Sequence, residues 1–310
     1  MSLKQRLLVF VAALLVTVVV ALSGVMYWQM RTEVIDIVRQ EIKTTASGNR
    51  EIMTKWITHR REAIEAVAAR LPLVDAPAPL LLEGRKVGKF DQVYIGYEDK
   101  RMDYDLPEKT PVPGFDPTER LWYKQANETK STVITQPYVS VRTKELCITV
   151  SRSVASQTPS VVAGDISLEE IIQLVNAIEL RGRGYAFLST RDGKIVAHSK
   201  LGSSLKPVED IIPGFDTSFL KTADGNIGLH KFGIEGTPKY AATVAIPGTD
   251  WALCIVADKA AALSPLCTLL RNMAISGLII AALGTLIAYP ALLKLLKLSP
   301  ESCRTEAENQ

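Results

Sequence analysis

Histidine and cysteine are both scarce, with three and four copies in 310 residues. His59, His198 and His230 stand far apart. None falls in a G-x-S-x-G or H-E-x-x-H signature, which argues against hydrolytic and zinc chemistry. Cys147, Cys254, Cys267 and Cys303 make no CxxC pair and have no histidine at metal-ligand spacing. Cys147 and Cys254 sit in apolar strand patterns that suit buried free thiols. A disulfide between them would fit an oxidising compartment, but spacing does not establish one. Charge of one sign is also lacking: the net charge is +3 with no block of Lys or Arg, which argues against nucleic acid as a partner. No catalytic residue, metal or cofactor is expected, and the chain reads as a non-enzyme.

What the chain does have is apolar length. Leu7 to Trp28 and Met273 to Leu293 carry no charged residue. Each matches the roughly 20 residues that cross a bilayer core of about 30 Å as a helix. The first run is longer than the apolar core of a signal peptide, and no convincing small-residue cleavage site follows it. Lys4 and Arg6 precede the first run; Lys294, Lys297 and Arg304 follow the second. The positive-inside bias then puts both ends in the cytoplasm. The expected layout is a cytoplasmic start (1–6), a first membrane helix (7–28), an extracytoplasmic or periplasmic domain (29–272), a second membrane helix (273–293) and a short cytoplasmic tail (294–310).

Between the runs the pattern changes twice. From Gln29 to Leu71 there is no proline and only Gly48, and apolar residues recur near helical spacing. This predicts a stalk helix, about 60 Å long at about 1.5 Å per residue, which "LPLVDAPAP" ends. Strand signals follow at "QVYIGY" and "RMDYD". "STVITQPYVS" and "ELCITVSRSV" read as an antiparallel pair, and "SVVAGDI" as a short strand. Ser167 then caps a helix, with Glu170 placed to complete a capping box. The pattern restarts with five more strands, "GYAFLST", "KIVAHS", "NIGLHKFGI", "KYAATVAI" and "DWALCIVA". Their turns fall at Asp192-Gly193, Glu235-Gly236 and Pro247-Gly248. "VPGFD" at 112 and "IPGFD" at 212 echo each other. The fold class is α+β: a long helix followed by two runs of mixed helix and antiparallel sheet.

One segment gathers ligand chemistry, "FDPTERLWYKQA" from Phe115 to Ala126. Asp116, Pro117 and Glu119 form a helix-start signal, so a short helix is expected from Pro117 to about Ala126. Arg120 offers a planar fork for a carboxylate. Trp122 and Tyr123 each join an apolar face to one polar handle. Core packing with a surface ion pair uses the same residue types. On a regular helix Trp122 would lie about 200° from Arg120, so the two share a site only if the helix is irregular or the indole reaches round.

"FDPTERLWYKQA", "ITQPYVSVRTKELCITVSRSV" and "VVAGDISLEEII" together resemble the double-Cache sensor domain of bacterial methyl-accepting chemotaxis receptors, specifically its amino-acid-binding branch. The resemblance covers about Gln29 to Lys259. It implies two PAS-like antiparallel-sheet modules on the stalk helix, a membrane-distal one over about 80–181 and a membrane-proximal one over about 182–260. It also implies a homodimer in the cell (inner) membrane and a distal pocket lined by Phe115, Arg120, Trp122, Tyr123, Tyr138 and Asp165. In that family Arg120 and the Trp122 indole would hold a ligand carboxylate, and Asp165, Tyr123 and Tyr138 its ammonium. The first position is usually Tyr. Phe115 lacks that hydroxyl, and one charge-assisted hydrogen bond is worth roughly 1.5–3 kcal/mol. The resemblance implies a small amino acid as ligand, the alternatives being an amine, polyamine, purine or organic acid. It also leaves room for the sensor part of a histidine kinase or cyclic-dinucleotide enzyme. No signalling hairpin follows the second apolar run. A receptor fragment, a truncated product and a sensor using a separate cytoplasmic partner all stay open.

Overall fold

One helix, α1 (Leu3–Arg70), takes in both the first apolar run and the stalk. The computed structural model describes residues 3–305 apart from 107, 110–111, 156–157, 179, 181–183, 201, 225–226 and 235–236. The Glu235-Gly236 turn lies outside the described residues. The chain divides into two compact units, Arg39–Asp258 and Met1–Val38 with Lys259–Gln310.

In the first unit the stalk's apolar stripe is buried at Ile42, Ala46, Met53, Ile57, Ile64 and Val67. Such a stripe is what holds a long helix in water, since propensity alone does not. After a 3-10 turn at Leu71–Leu73 comes α2 (Ala78–Gly88), which the sequence pattern did not reveal. Gly84 and Gly88 weaken its helical signal. Their place is steric: a Cβ on Gly84 would lie 2.4 Å from Val67 Cγ2, and one on Gly88 2.1 Å from the Phe90 ring.

The first sheet contains β1 (Gln92–Tyr97), β2 (Met102–Tyr104), β3 (Val133–Ile134), β4 (Tyr138–Val139), β5 (Leu146–Val154) and β6 (Ser160–Ser167). Its order is β2-β1-β6-β5-β3, with β4 also pairing β5, all antiparallel. The expected strand over 131–140 is two short ones. Pro137 stands between them and has no N–H for the ladder. Two helices flank the sheet, α3 (Leu121–Thr129) and α4 (Leu168–Asn176). Ser167 Oγ caps α4 by accepting from the Glu169 N–H at 3.2 Å. Glu170 does not close the capping box as expected. Its carboxylate accepts instead from the Trp56 indole at 3.2 Å and the Arg60 guanidinium at 2.5 Å, tying α4 to α1.

The second sheet realises all five strands read from the sequence: β7 (Gly184–Thr190), β8 (Ile195–His198), β9 (Gly228–Ile234), β10 (Thr237–Ala245) and β11 (Trp251–Asp258). Their order is β8-β7-β11-β10-β9. Two single-turn helices, α5 (Val208–Ile211) and α6 (Ser218–Lys221), cover one face. They are too short for a periodic signal. Cys147 and Cys254 lie on different sheets, each a buried free thiol. Burial pushes the Cys147 thiol up to about 12 and the Cys254 thiol higher still than its ordinary value.

The echoed pentapeptides form the same turn. Gly114 and Gly214 adopt φ of +73° and +85°, and the next N–H bonds back to Val112 O at 2.9 Å and Ile212 O at 3.1 Å. Asp116 and Asp216 then each accept an N–H two residues on, from Thr118 and Ser218, at 2.9 Å. The phenylalanines differ in use. Phe215 is buried edge-on against Phe187, Phe219 and Phe232 and fills the second module's core. Phe115 is only half-buried and lines a cavity.

In the other unit, α7 (Lys259–Thr305) accompanies the start of α1. Among the described residues one stretch, Lys259–Gly284, is long and apolar enough to cross a membrane. It begins earlier than the expected second span, directly after β11. Leu7–Trp28 does not stand out in the same way, and part of it falls on side chains outside the described residues.

Candidate ligand-binding site

The first sheet places three polar residues side by side on adjacent strands. Asp165 of β6 lies opposite Gln92 of β1 and opposite Thr149 of β5. Tyr94, two residues beyond Gln92, shares its face of the sheet. All of them reach the same carboxylate. Asp165 Oδ2 accepts from Gln92 Nε2 at 2.7 Å, and Oδ1 accepts from the Tyr94 hydroxyl at 2.8 Å and the Thr149 hydroxyl at 2.7 Å. Tyr138 Oη joins through Thr149 Oγ1 at 2.6 Å. Asp165 is 5% exposed. Burial raises its proton affinity above the ordinary carboxylate value, while the bonds from Gln92, Thr149 and Tyr94 oppose that rise. Burial and the Asp165 charge push the Tyr94 and Tyr138 hydroxyls upward in turn.

Arg120 comes to the same place from a break between helices. The helix expected over Pro117–Ala126 is two pieces: a 3-10 turn at Pro117–Glu119, capped by Asp116, and α3 from Leu121. Arg120 between them is extended, with φ −81° and ψ 148°. That break removes the 200° conflict, because Arg120 and Trp122 do not share a regular helix. The Arg120 guanidinium stacks 4.6 Å from the Phe115 ring centroid, and its buried Nε has no hydrogen-bond partner. Such an atom is uncommon in a folded interior. Asp116, beside this turn, is held down to about 2 by the Lys100 ammonium and the Thr118 hydroxyl and N–H.

Phe115, Arg120, Trp122, Tyr138 and Asp165 line one cavity, as do Gln92, Tyr94, Met102, Tyr104, Ser140 and Arg142. The enclosed space is about 40 Å³. A neighbouring cavity of about 510 Å³ shares Gln92, Ser140, Arg142 and Asp165 with it. Trp122 is 2% exposed and packs edge-on against Tyr94 at 5.1 Å and Tyr123 at 5.7 Å. Tyr123 does not line the cavity. The charges its hydroxyl feels are those of Glu98, Asp116 and Asp99 rather than Asp165.

The Cache-domain family model, in its dCache_1 form, matches residues 18–266. This chain is a Cache-domain protein. The chain is similar to the methyl-accepting chemotaxis protein PctB of Pseudomonas aeruginosa, 29% identical over 276 residues, 86% of this chain and 42% of PctB. The chain thus spans less than half the length of that relative. Among solved structures, the ligand-binding domain of PctB of Pseudomonas aeruginosa in complex with L-Arg superposes with a TM-score of 0.60 at 28% identity, over 73% of this chain and 96% of that one. The Cache fold is also seen in the ligand-binding domain of the Pseudomonas fluorescens chemoreceptor CtaA in complex with L-isoleucine. There the TM-score is 0.64 at 24% identity, over 76% of this chain and 98% of that one.

Proposed function

We propose that this Cache protein is a membrane-anchored, non-enzymatic sensor that binds a small amino acid in its membrane-distal module, about residues 80–181. The observation that carries the reading is that Arg120 and Asp165 line one cavity. A guanidinium and a carboxylate in a shared, largely buried space complement the two ends of a zwitterion. Arg120, with the Trp122 indole, takes the α-carboxylate. Asp165, with Tyr138, takes the ammonium, while Tyr123 supports Trp122 from behind. The PctB domain, which holds L-Arg, supports the ligand class. The first cavity alone holds little more than one water, so the amino acid occupies it together with the larger neighbour, which is on the scale of small-molecule sites.

The membrane placement belongs to the same reading. Lys259–Gly284 forms one span. The start of α1 supplies the other: it exposes Phe10, Leu14, Val20, Leu22 and Trp28 to its surroundings, which suits lipid rather than water. The sensor domain lies outside the membrane, both termini lie in the cytoplasm, and two copies pair. Ligand binding then shifts the second span through its different affinity for two states.

The test is a thermal-shift and calorimetric screen of the chain in detergent against the common amino acids. At least one should bind below millimolar, and Arg120→Ala and Asp165→Ala should each weaken it by tenfold or more. No binding by any amino acid, with no response to either substitution, would rule the reading out. A second reading has its own observation: Asp165 already accepts three neutral hydrogen bonds. In that reading the ligand is an organic acid without an ammonium, and Asp165→Asn leaves affinity intact.

A further inference from the structure

The position of Arg120 is set through its backbone. The guanidinium stacks on Phe115 and its Nε has no partner. The Arg120 N–H donates to Pro117 O and its carbonyl accepts the Lys124 N–H, both at 3.0 Å. The residues on either side of it rest on one point of β1. A Cβ built on Gly96 would lie 2.7 Å from Pro117 Cβ and 2.7 Å from Trp122 Cη2. Carbon atoms pack at about 3.5–4.0 Å, so both seat there only because Gly96 has no side chain.

The backbone does not require glycine here. Gly96 lies mid-strand with no left-handed φ, opposite Met102 of β2 and Val161 of β6. Glycine at such a place weakens a sheet and often marks a close approach. The approaching segment cannot yield without moving Arg120. Pro117 is buried, and Trp122 is wedged edge-on between Tyr94 and Tyr123, its carbonyl accepting from Ser151 Oγ at 2.9 Å. Lys100 also reaches the segment, pairing with Asp116 at 2.8 Å, but that lysine is exposed and such pairs are worth little. The atoms nearest the missing Cβ belong to Pro117, Trp122 and Met102. None belongs to Asp165 or to its donors Gln92, Tyr94 and Thr149.

We propose that Gly96 is a positioning residue for ligand binding. By seating Pro117 and Trp122 on the sheet it sets Arg120 at the carboxylate end of the cavity, and it leaves the ammonium end at Asp165 to other contacts. This rests on the amino-acid reading of the same cavity. A methyl group at Gly96 pushes the segment off the sheet. A binding group must sit within about 0.5 Å of its productive place. Widening a 2.7 Å approach to about 3.5 Å exceeds that margin.

Calorimetry on the chain in detergent tests it. The titrants are the tightest-binding common amino acid, the amine lacking its α-carboxylate and the acid lacking its ammonium. The parent should prefer the amino acid to each analogue by at least about tenfold. In Gly96→Ala the preference over the amine should fall below about threefold, while the preference over the acid stays within about twofold of the parent's. A general loosening of the fold would lower both preferences together. That outcome overturns the proposal, as do two unchanged preferences or a loss confined to the acid, and each leaves the amino-acid reading standing. If Gly96→Ala does not fold, Pro117→Gly decides, because it removes the ring seated on Gly96 without adding bulk. It should show the same selective loss, and any other pattern overturns the proposal. A parent chain that binds no amino acid, or prefers it to neither analogue, overturns the amino-acid reading and this proposal with it.

Discussion

Asp165 carries the clearest physical signature of any single residue. It is a buried carboxylate held by three neutral donors from the two strands that flank its own. Because burial raises its proton affinity, the folded state binds its proton more tightly than the unfolded chain does. Its contribution to stability is therefore greatest below the unfolded value of about 3.9 and is lost as pH rises through the higher folded value. Melting temperatures of the parent chain and Asp165→Asn, compared from about pH 4 to pH 7, should show that acid-side gain in the parent only. A parallel pH dependence in both would show that Asp165 does not titrate above its ordinary range. The ammonium-binding form is the ionised one, so amino-acid affinity should fall over the same interval as pH drops. Much of this site was legible at residue level. The family resemblance named Phe115, Arg120, Trp122, Tyr138 and Asp165, and the fold brings these five side chains to one cavity. Gln92, Tyr94 and Arg142 were not legible. They join the site through strand pairing and loop placement, and a sequence does not print which residues lie across a ladder. Tyr123 shows the converse. Neighbours in sequence diverge when a helix turns the next side chain away, here into the aromatic cluster.

Elements were read best where they were long and strictly periodic. The stalk and the five strands of the second sheet have uninterrupted patterns and match the structure. The reading failed where local chemistry cut a pattern. Pro137 divides one expected strand, and the extended backbone at Arg120 divides one expected helix. Helix α2 was hidden by Gly84 and Gly88, residues that cost a helix about 1 kcal/mol each in propensity. Their compensation is close packing, which gives a direct prediction. Gly84→Val adds bulk where even a Cβ lies 2.4 Å from Val67. It should destabilise the chain by about 1–3 kcal/mol despite leaving the surface chemistry unchanged. Chemical denaturation in detergent would measure this, and an unchanged midpoint would mean that α2 does not pack closely on the stalk. Glu170 illustrates a related point. A residue spaced for a capping box was taken by a stronger partner, the buried Arg60, which no local pattern could announce.

At the scale of the whole molecule, the membrane topology rests on composition and exposure. Leu73 is 81% exposed at the far end of the stalk and gives a convenient reporter. In intact cells, Leu73→Cys should react with a membrane-impermeant maleimide, whereas a cysteine placed before Leu7 or after Lys294 should react only after permeabilisation. Labelling of all three positions from outside would remove the two-span arrangement. The second module bears on where the ligand goes. Its turn repeats that of the first, yet Phe215 and its aromatic neighbours fill the core. The same turn in the first module leaves Phe115 on the wall of a cavity.

The central claim is that one cavity grips an amino acid by both charged ends, and analogues lacking one end test it most directly. Take the tightest-binding amino acid together with the amine lacking its α-carboxylate and the acid lacking its ammonium. Titrate all three into the parent chain, Arg120→Gln and Asp165→Asn. The parent should bind the complete amino acid at least about tenfold tighter than either analogue. Arg120→Gln should abolish discrimination against the amine only, and Asp165→Asn discrimination against the acid only. Equal binding of the three compounds by the parent chain, or the same pattern of discrimination in both variants, would contradict it.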